Sequence, residues 1–174
     1  MKNSVSYILI IFSLFAFSQD NACDGNCFHG YGTYTFSNKD VYEGQWSNRD
    51  NEGKMEGYGR YLYANGAKYQ GQFINNMPNG LGKLIYNNGN VFRGTFVNGL
   101  MNGFGILENM GKKSIGKWSG RDLIEAIENM HQRANSKEYQ KFLEEWNNHS
   151  DKWQAHLKQW NKKEINKKMA VSPP

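Results

Sequence analysis

The residues best suited to chemistry in this sequence are its only two cysteines, Cys23 and Cys27, which flank a short Asp-Gly-Asn segment. Because Asp-Gly favours a tight turn, the two thiols can approach each other, and we predict a structural disulfide between them. Two alternatives remain open. One is a zinc site, for which His29 is the nearest further ligand, and the other is a redox-active pair, although the spacing is one residue longer than Cys-x-x-Cys.

The remaining titratable residues show no spacing typical of an active site. There is no nucleophile elbow, phosphate-binding loop or metalloprotease motif in the sequence. The four histidines are His29, His131, His149 and His156. We interpret the last two, seven residues apart, as surface or helix-stripe residues rather than ligands. We therefore predict that the protein is not an enzyme, that it binds no metal and no cofactor, and that it has no small-molecule substrate.

The N-terminus predicts export. Lys2 precedes a largely apolar run from Tyr7 to Phe17, which ends in the small-x-small sequence Ala16-Phe17-Ser18. This pattern is typical of a signal peptide, and the run is too short to span a bilayer as a helix. We predict cleavage after Ser18 and a secreted or periplasmic protein of the cell envelope. Such a compartment is oxidising, which favours the disulfide.

The charge pattern argues against nucleic acid as a partner. The chain of 174 residues has a net charge of +5, and its lysines and arginines are spread along the sequence. Surfaces that follow a phosphate backbone usually cluster their cations. We therefore expect a solvated basic surface and no nucleic-acid binding.

A five-residue motif recurs along the chain. It has aromatic residues at its first and last positions and glycine at its centre. Copies begin at Tyr42, Tyr69 and Phe92, and a degenerate copy begins at Ser114, so the starts lie 27, 23 and 22 residues apart. The first three copies are each followed by Gly-x-Gly. The first copy has four extra residues, and we predict that they lie in a loop at Ser47–Glu56. A period in the twenties predicts a repeat architecture.

Each copy predicts a β-hairpin. Since side chains alternate along a strand, Tyr69, Gly71 and Phe73 share one face, and Gln70 and Gln72 share the other. Asn-rich and Asn-Gly segments supply the turns. A glycine beside a bulky ring lets a ring from an adjacent strand lie flat across the backbone. The predicted framework is Tyr42, Gly44, Trp46, Tyr69, Gly71, Phe73, Phe92, Gly94, Phe96, Gly116 and Trp118.

One hairpin cannot bury its apolar face alone, so the hairpins must stack side by side. The predicted fold class is mainly β, an elongated single antiparallel sheet of stacked hairpins followed by an α-helical tail. From Gly30 to Trp118 the pattern resembles the MORN repeat family, with the first hairpin replaced by the cysteine loop. The resemblance implies a non-catalytic scaffold for self-association, protein binding or membrane-associated roles.

The C-terminal third has a helical pattern. Asp122 and Glu125 predict a capped helix start, and Asn135-Ser136 predicts a break and a new cap. A polar run at Asn147–Asp151 would interrupt the next helix. An aromatic stripe then recurs every seven residues, at Tyr139, Trp146, Trp153 and Trp160, and Phe142, Leu143, His156 and Leu157 widen it. We expect it to pack on the sheet and cover the last edge; the alternatives are a Lys-rich membrane-surface helix and a helix that binds a partner.

Two sets of side chains are candidates for partner binding. An apolar column lies between paired glycines, on the face away from the rings, and either the tail covers it or it is the binding surface: Tyr31, Tyr58, Leu81 and Phe104. Exposed positions between the glycines are a second candidate: Glu43, Gln45, Gln70, Gln72, Arg93 and Thr95.

The sequence thus predicts five segments: a signal peptide at 1–18, a cysteine-loop cap at 19–29, a MORN-like array at 30–120, a helical tail at 121–168 and a disordered C-terminus at 169–174. We predict an extracytoplasmic scaffold that binds a protein partner or self-associates. The alternative is a peripheral module that binds anionic phospholipid through the C-terminal helix.

Overall fold

The computed structural model of the protein describes residues 22–49 and 52–171. The predicted signal peptide at 1–18 lies outside the described residues. Ten strands follow one another in chain order: β1 (Ala22–Gly25), β2 (Gly30–Thr35), β3 (Val41–Arg49), β4 (Glu52–Leu62), β5 (Lys68–Ile74), β6 (Met77–Ile85), β7 (Val91–Val97), β8 (Leu100–Asn109), β9 (Lys112–Ser119) and β10 (Asp122–Ala126). Two helices complete the described chain: α1 (Met130–Asn135) and α2 (Lys137–Val171).

The ten strands form one open antiparallel sheet in which the spatial order is the sequence order. Every neighbouring pair is therefore a hairpin, and the predicted fold class is confirmed. The turns follow the predicted chemistry. Asn75 and Asn76 join β5 to β6 with positive φ angles of 48° and 68°, as a two-residue hairpin turn of matching twist requires. Asn98 and Gly99 do the same between β7 and β8, at 49° and 82°.

Each repeat carries a bulge one residue after its framework glycine, and a polar side chain there completes the hydrogen bonding. Gln72 Oε1 accepts a hydrogen bond from the backbone N–H of Leu81 at 3.0 Å, and Gln45 Oε1 accepts one from Tyr58 at 2.6 Å. Thr95 occupies the same position in the next repeat. These positions were predicted to face a partner, but the two glutamines are engaged within their own repeats.

The predicted rings form a continuous aromatic ladder, which is the core of the array. Consecutive rings meet edge to face, with centroids 4.9–5.5 Å apart and interplanar angles of 76–90°. Such pairs add about 0.5–1.5 kcal/mol each beyond the apolar area that they bury. In spatial order the ladder is Trp46, Tyr42, Phe73, Tyr69, Phe96, Phe92 and Trp118, all buried.

The glycines leave room for the rings, as predicted. The predicted origin of the rings was wrong in part, because a framework glycine is covered by a ring of its own strand and not by one from an adjacent strand. The Tyr69 ring lies across Gly71 of its own strand and Gly82 of the next strand, where an added Cβ would stand 2.3 Å from Tyr69 Oη. The first ring of each motif, at Tyr42, Tyr69 and Phe92, thus covers a pair of glycines, one of them two residues after it. Gly116 differs again: its Cβ would lie 1.8 Å from the carbonyl oxygen of Glu125, so it admits the β10 backbone rather than a ring.

The N-terminal segment contains the predicted disulfide. Cys23 and Cys27 are bonded, with sulfurs 2.07 Å apart. The prediction that a covalent loop replaces the first hairpin was wrong, because β1 pairs with β2 and the disulfide closes the end of that hairpin. A Cβ on Gly32 would lie 2.8 Å from Cys27 Sγ, so this sulfur occupies the place that rings take in later repeats.

Opening the disulfide will loosen this edge of the sheet. We expect an intact mass two hydrogens below that of the dithiol form, and a loss of at most about 2 kcal/mol on reduction, since the closed loop is short. Amide exchange before and after reduction measures the effect, which will be confined to β1 and β2. Free alkylation without reductant, or exchange that rises equally across the sheet, would contradict this.

The insertion in the first repeat lengthens a hairpin instead of forming a loop. Strand β3 continues to Arg49 and strand β4 begins at Glu52, and these two residues are paired in register. The extension packs on the cysteine loop, where a Cβ on Gly53 would lie 2.1 Å from the carbonyl oxygen of Cys27. The predicted Ser47–Glu56 loop was therefore wrong, because backbone pairing and this contact favour continued strands.

The predicted helix start at Asp122 was wrong as well. Gly120, with φ of 62°, begins a tight turn, and β10 pairs with β9 to add one more strand. Leu123 packs against the ladder core beside Trp118, which a helix would not allow. The capping box lies later: the Asn129 side chain accepts from the N–H of Gln132, whose side chain accepts from the Asn129 N–H.

The break between the helices is confirmed, because Ser136 Oγ accepts a hydrogen bond from the N–H of Tyr139 at the start of α2. The predicted interruption at Asn147–Asp151 is absent. Helix α2 runs through it and continues to Val171, so 169–171 are helical rather than disordered, and the rest of the predicted segment, 172–174, lies outside the described residues. The polar run stays helical because His149, at its centre, is buried against the sheet.

Candidate binding site between the sheet and the C-terminal helix

Helix α2 lies on the face of the sheet opposite the ladder and covers the apolar column. Phe104 on β8 contacts Phe142, with ring centroids 5.5 Å apart. Tyr58 on β4 contacts His149 at 5.5 Å, and Tyr31 on β2 contacts His156 at 5.2 Å. Of the two readings of the column, the structure therefore supports the one in which the tail covers it.

These contacts also give the direction of α2. As the helix proceeds, it meets β8, then β4, then β2, so it runs back over the array from its last repeats towards its first. Glu138 in the first turn bonds Lys117 Nζ on β9 at 2.9 Å, and Lys117 also bonds Glu125 at 3.0 Å. Such exposed pairs contribute little, so burial of the rings holds the helix in place.

The row of α2 that faces the sheet most directly is not the predicted aromatic stripe. Phe142, His149 and His156 are 3%, 7% and 7% exposed, whereas Trp146 and Trp153 are half-buried at the sides of the contact. Tyr139 contacts Phe104 at 5.9 Å, and Trp153 contacts Tyr58 at 6.3 Å. The side chain of Trp160 lies outside the described part of the protein.

Sequence reasoning therefore placed the heptad row three residues too early. The available signal was that Phe142, His149 and His156 also recur every seven residues. Phe142 and His156 were expected only to widen the stripe, because tryptophan has more apolar area to bury than histidine.

Burial sets the protonation of the two histidines. It lowers the pKa of His149 to about 4, with a smaller contribution from the nearby Lys152, and it lowers the pKa of His156 to about 4. Both rings are therefore neutral at pH 7. His156 Nδ1 lies 3.3 Å from the Tyr31 hydroxyl, whereas His149 Nδ1 has no hydrogen-bond partner among the described residues.

A cavity of about 240 Å³ lies beside His149, between the sheet and α2. The sheet contributes Gln70, Lys83 and Arg93 to its lining, and the described residues that line it include no acid. Lys83 and Arg93 are direct cross-strand neighbours in the β6–β7 register. Burial and the adjacent Arg93 lower the pKa of Lys83. The cavity is therefore a basic site that sequence reasoning did not identify.

The ladder face carries a second row of rings, which we call the aromatic rim: Tyr34, Phe36, Tyr61, Tyr63 and Tyr86. The rim residues are half-buried against the ladder, and they lie on the face that α2 does not cover. At the N-terminal end, a cavity of about 450 Å³ opens beside the rim between Cys27, Trp46 and Met55.

Within 22–49 and 52–171, no group of three or more His, Cys, Asp or Glu side chains could hold a metal ion. None of the helices in these ranges combines the length and the apolarity needed to cross a bilayer. His29 is exposed, and the disulfide occupies both cysteine sulfurs.

A single sheet of consecutive hairpins, held by one ring ladder over paired glycines, defines a hairpin-repeat protein. Five segments of the chain match the MORN repeat: residues 28–41, 42–48, 51–68, 69–91 and 92–108. The repeat array therefore belongs to the MORN repeat family, as its repeating pattern predicted. No curated protein matches the chain significantly. MORN repeats are typically non-enzymatic scaffolds that bind proteins or membranes.

Proposed function

We propose that this protein is a non-catalytic, extracytoplasmic scaffold that binds a protein partner, or a second copy of itself, on the ladder face of its sheet. The observation that supports this is the aromatic rim. Helix α2 occupies the opposite face, so the half-buried rings of the rim stay accessible on the ladder face of the described chain. Exposed apolar surface of this kind typically marks an interaction site.

The chemistry of the rim suits a protein segment. Burial raises the pKa of Tyr63 and of Tyr86, so both hydroxyls stay neutral and can donate or accept hydrogen bonds. Rings with a polar end are enriched at protein interfaces, because they add contact area at low entropic cost. A partner that presents apolar side chains and backbone carbonyls would satisfy both properties.

Location outside the cytoplasm is part of the proposal and rests on two features. The N-terminal sequence has the pattern of a signal peptide, and the disulfide at Cys23 and Cys27 is of a kind that persists in oxidising compartments. N-terminal sequencing of the exported protein tests this: the mature chain should begin at Gln19. Retention of the full-length chain in the cytoplasm would refute the location but not the scaffold role.

Site-specific photo-crosslinking tests the binding face. A photoreactive phenylalanine analogue at Tyr63 should crosslink to another protein chain in cells that produce the protein. The matched control is the same analogue at Asn148, which is exposed on the outer side of α2. We expect a discrete protein adduct from position 63 alone, and sedimentation velocity of the purified protein will show whether the partner is a second copy.

The other outcomes distinguish the alternative. Peripheral binding to anionic membrane through α2 would instead give lipid adducts from position 148 and co-sedimentation with phosphatidylglycerol vesicles that salt abolishes. Helix α2 exposes Lys141 and Lys152 on its outer side, but Glu144, Glu145 and Asp151 lie among them, which weakens the attraction. Equal adducts from both positions would contradict the proposed face.

A further inference from the structure

The basic cavity between the sheet and α2 has features of a ligand site rather than a packing defect. Its sheet side is built from three consecutive strands, with Gln70 on β5, Lys83 on β6 and Arg93 on β7. Its helix side presents the side chains of His149, Ser150 and Gln154. The half-buried rings of Trp146 and Trp153 also line it. Polar groups thus converge from both elements on one space.

The charges in this cavity are incompletely balanced. Lys83 and Arg93 are paired across neighbouring strands, so their Cβ atoms lie about 5 Å apart, a spacing at which like charges destabilise a sheet. Arg93 has a partner in Glu108, with Nη1 and Oε2 3.3 Å apart. Lys83 forms no ion pair with any residue in the described part of the chain. Glu108 attracts Lys83 only at longer range, so two cations share one carboxylate and the cavity keeps a net positive charge.

A second and independent observation is the state of His149. Its ring is 7% exposed, it lines the cavity, and its Nδ1 makes no hydrogen bond to a described residue. Buried polar atoms are nearly always hydrogen-bonded, and leaving one unpaired is costly. A ligand that accepts or shares hydrogen bonds here would remove that cost and the repulsion between the two cations together.

We propose that this cavity binds a small oxyanion, a carboxylate or phosphate group, with Lys83 and Arg93 as its charge partners and His149, Ser150 and Gln70 as hydrogen-bonding groups. The space of about 240 Å³ corresponds to about eight water volumes, so it admits the anionic group with a few carbon atoms. The flanking tryptophan rings suit an organic rather than a purely inorganic anion.

The placement gives such a ligand a structural consequence. It contacts β5, β6 and β7 on one side and α2 on the other, so the complete site exists only while α2 is docked. A ligand that binds only the docked state stabilises that state in proportion to the logarithm of its concentration over Kd. The anion therefore strengthens attachment of the tail to the array, and this is separate from partner binding at the aromatic rim.

The test uses the full chain and three probes: inorganic phosphate, acetate and glycerol phosphate, each compared with sodium chloride at equal ionic strength. Titration is followed by NMR of the Trp146 and Trp153 indoles and the Ser150 amide. We expect saturable shifts with at least one probe, absent with chloride, and a rise in Tm. Shifts that grow without saturation, or that chloride reproduces, would overturn the proposal.

Matched variants separate the site from general charge effects. Lys83→Gln removes one of the two cavity charges at similar side-chain length and should weaken binding at least tenfold, while it raises Tm in the absence of anion because the repulsion between Lys83 and Arg93 is gone. Lys68→Gln removes an exposed charge from β5 outside the cavity and should leave the affinity unchanged. Equal weakening by both variants, or none by Lys83→Gln, would exclude a specific site.

The source of the anion is distinguished with phosphatidylglycerol vesicles, which carry the headgroup that soluble glycerol phosphate mimics. Soluble binding without co-sedimentation assigns the site to a free small molecule. Co-sedimentation that Lys83→Gln abolishes assigns it to a lipid headgroup. Failure of all soluble probes and of the vesicles would refute the site, yet it would leave crosslinking from Tyr63, and hence the proposed scaffold role, unaffected.

Discussion

Replacing Gly105 with valine will lower the free energy of unfolding by about 3 kcal/mol, the upper end of the usual cost of overpacking a core. The added Cβ would stand 2.4 Å from Cζ of Phe92, a ring that is fully buried and fixed between Phe96 and Trp118. The ring cannot move aside without opening the ladder. We expect Tm to fall by about 10 °C in thermal unfolding, given the size of the chain.

The matched control is Ile106→Val, which puts the same residue on the next position of β8 and on the opposite face. It removes one methylene group and should cost about 1 kcal/mol, typical of this substitution. Gly105 has no positive φ, so backbone strain does not contribute to the difference. Equal losses for the two variants would mean that the ring does not lie on this glycine.

The sheet could be predicted because the same pattern of rings and glycines recurs in every repeat. Alternation around Tyr69, Gly71 and Phe73 fixes which side chains share a face, and the recurrence of the motif fixes the register between hairpins. Burial of these rings and the T-shaped contacts between them agree with that prediction. A single copy would not have sufficed, since an isolated hairpin of this composition has nothing against which to bury its rings.

The ends of the array were harder to predict because they depend on contacts distant in sequence. Asp122 to Ala126 has an acceptable helix-capping pattern, yet the unpaired edge of β9 makes a tenth strand more favourable. Likewise, the long β3–β4 hairpin is favoured by its packing on the cysteine loop. Local propensity is a weak prior where an open edge or a neighbouring loop can override it.

The candidate site was predictable only in part. The column at Tyr58 and Phe104 followed from strand alternation, and the helical tail was one of its two predicted occupants. The basic cavity was not predictable, because it joins Lys83 and Arg93 to residues more than fifty positions later in the chain. Only the path of α2 across the sheet brings those groups together.

That path makes attachment of α2 dependent on pH, and we expect α2 to detach from the array as the pH falls from 7 to 4.5. In the docked state, burial lowers the pKa of His149 and of His156 to about 4, whereas exposed histidine has a pKa near 6.5. Between these values the detached helix binds more protons than the docked one. Docking is therefore unaffected above about pH 7 and weakens progressively below pH 6.5.

The effect is large because two histidines contribute to it. At pH 4.5 the linkage amounts to at most roughly 2.5 kcal/mol for each histidine. The groups around them do not offset it: Tyr31 and Tyr58 are neutral, Lys152 repels a proton at His149, and the Glu43–Arg60 ion pair beside His156 is balanced. Detachment will therefore precede unfolding of the sheet.

The lower limit of pH 4.5 keeps Asp40, the buried carboxyl of the array, out of the titration. Burial alone would raise the pKa of Asp40, but hydrogen bonds from the Ala64 N–H, the Tyr61 hydroxyl and the Asn38 amide outweigh it and hold the pKa below its ordinary value. Asp40 therefore stays ionised across the window. The ladder tryptophans, Trp46 and Trp118, are buried and remain a shielded background for fluorescence.

Acrylamide quenching of tryptophan fluorescence measures the detachment, because Trp146 and Trp153 become accessible when α2 leaves the sheet. Quenching should rise with a midpoint between pH 6.5 and 4.5, while strand content measured by circular dichroism stays constant. The control is the double variant His149→Phe and His156→Phe, which keeps a ring at each position but cannot bind a proton. Its quenching should not change across this range.

A pH response of equal size in the double variant would show that other groups control the contact. A simultaneous loss of strand content would show that the sheet depends on the helix.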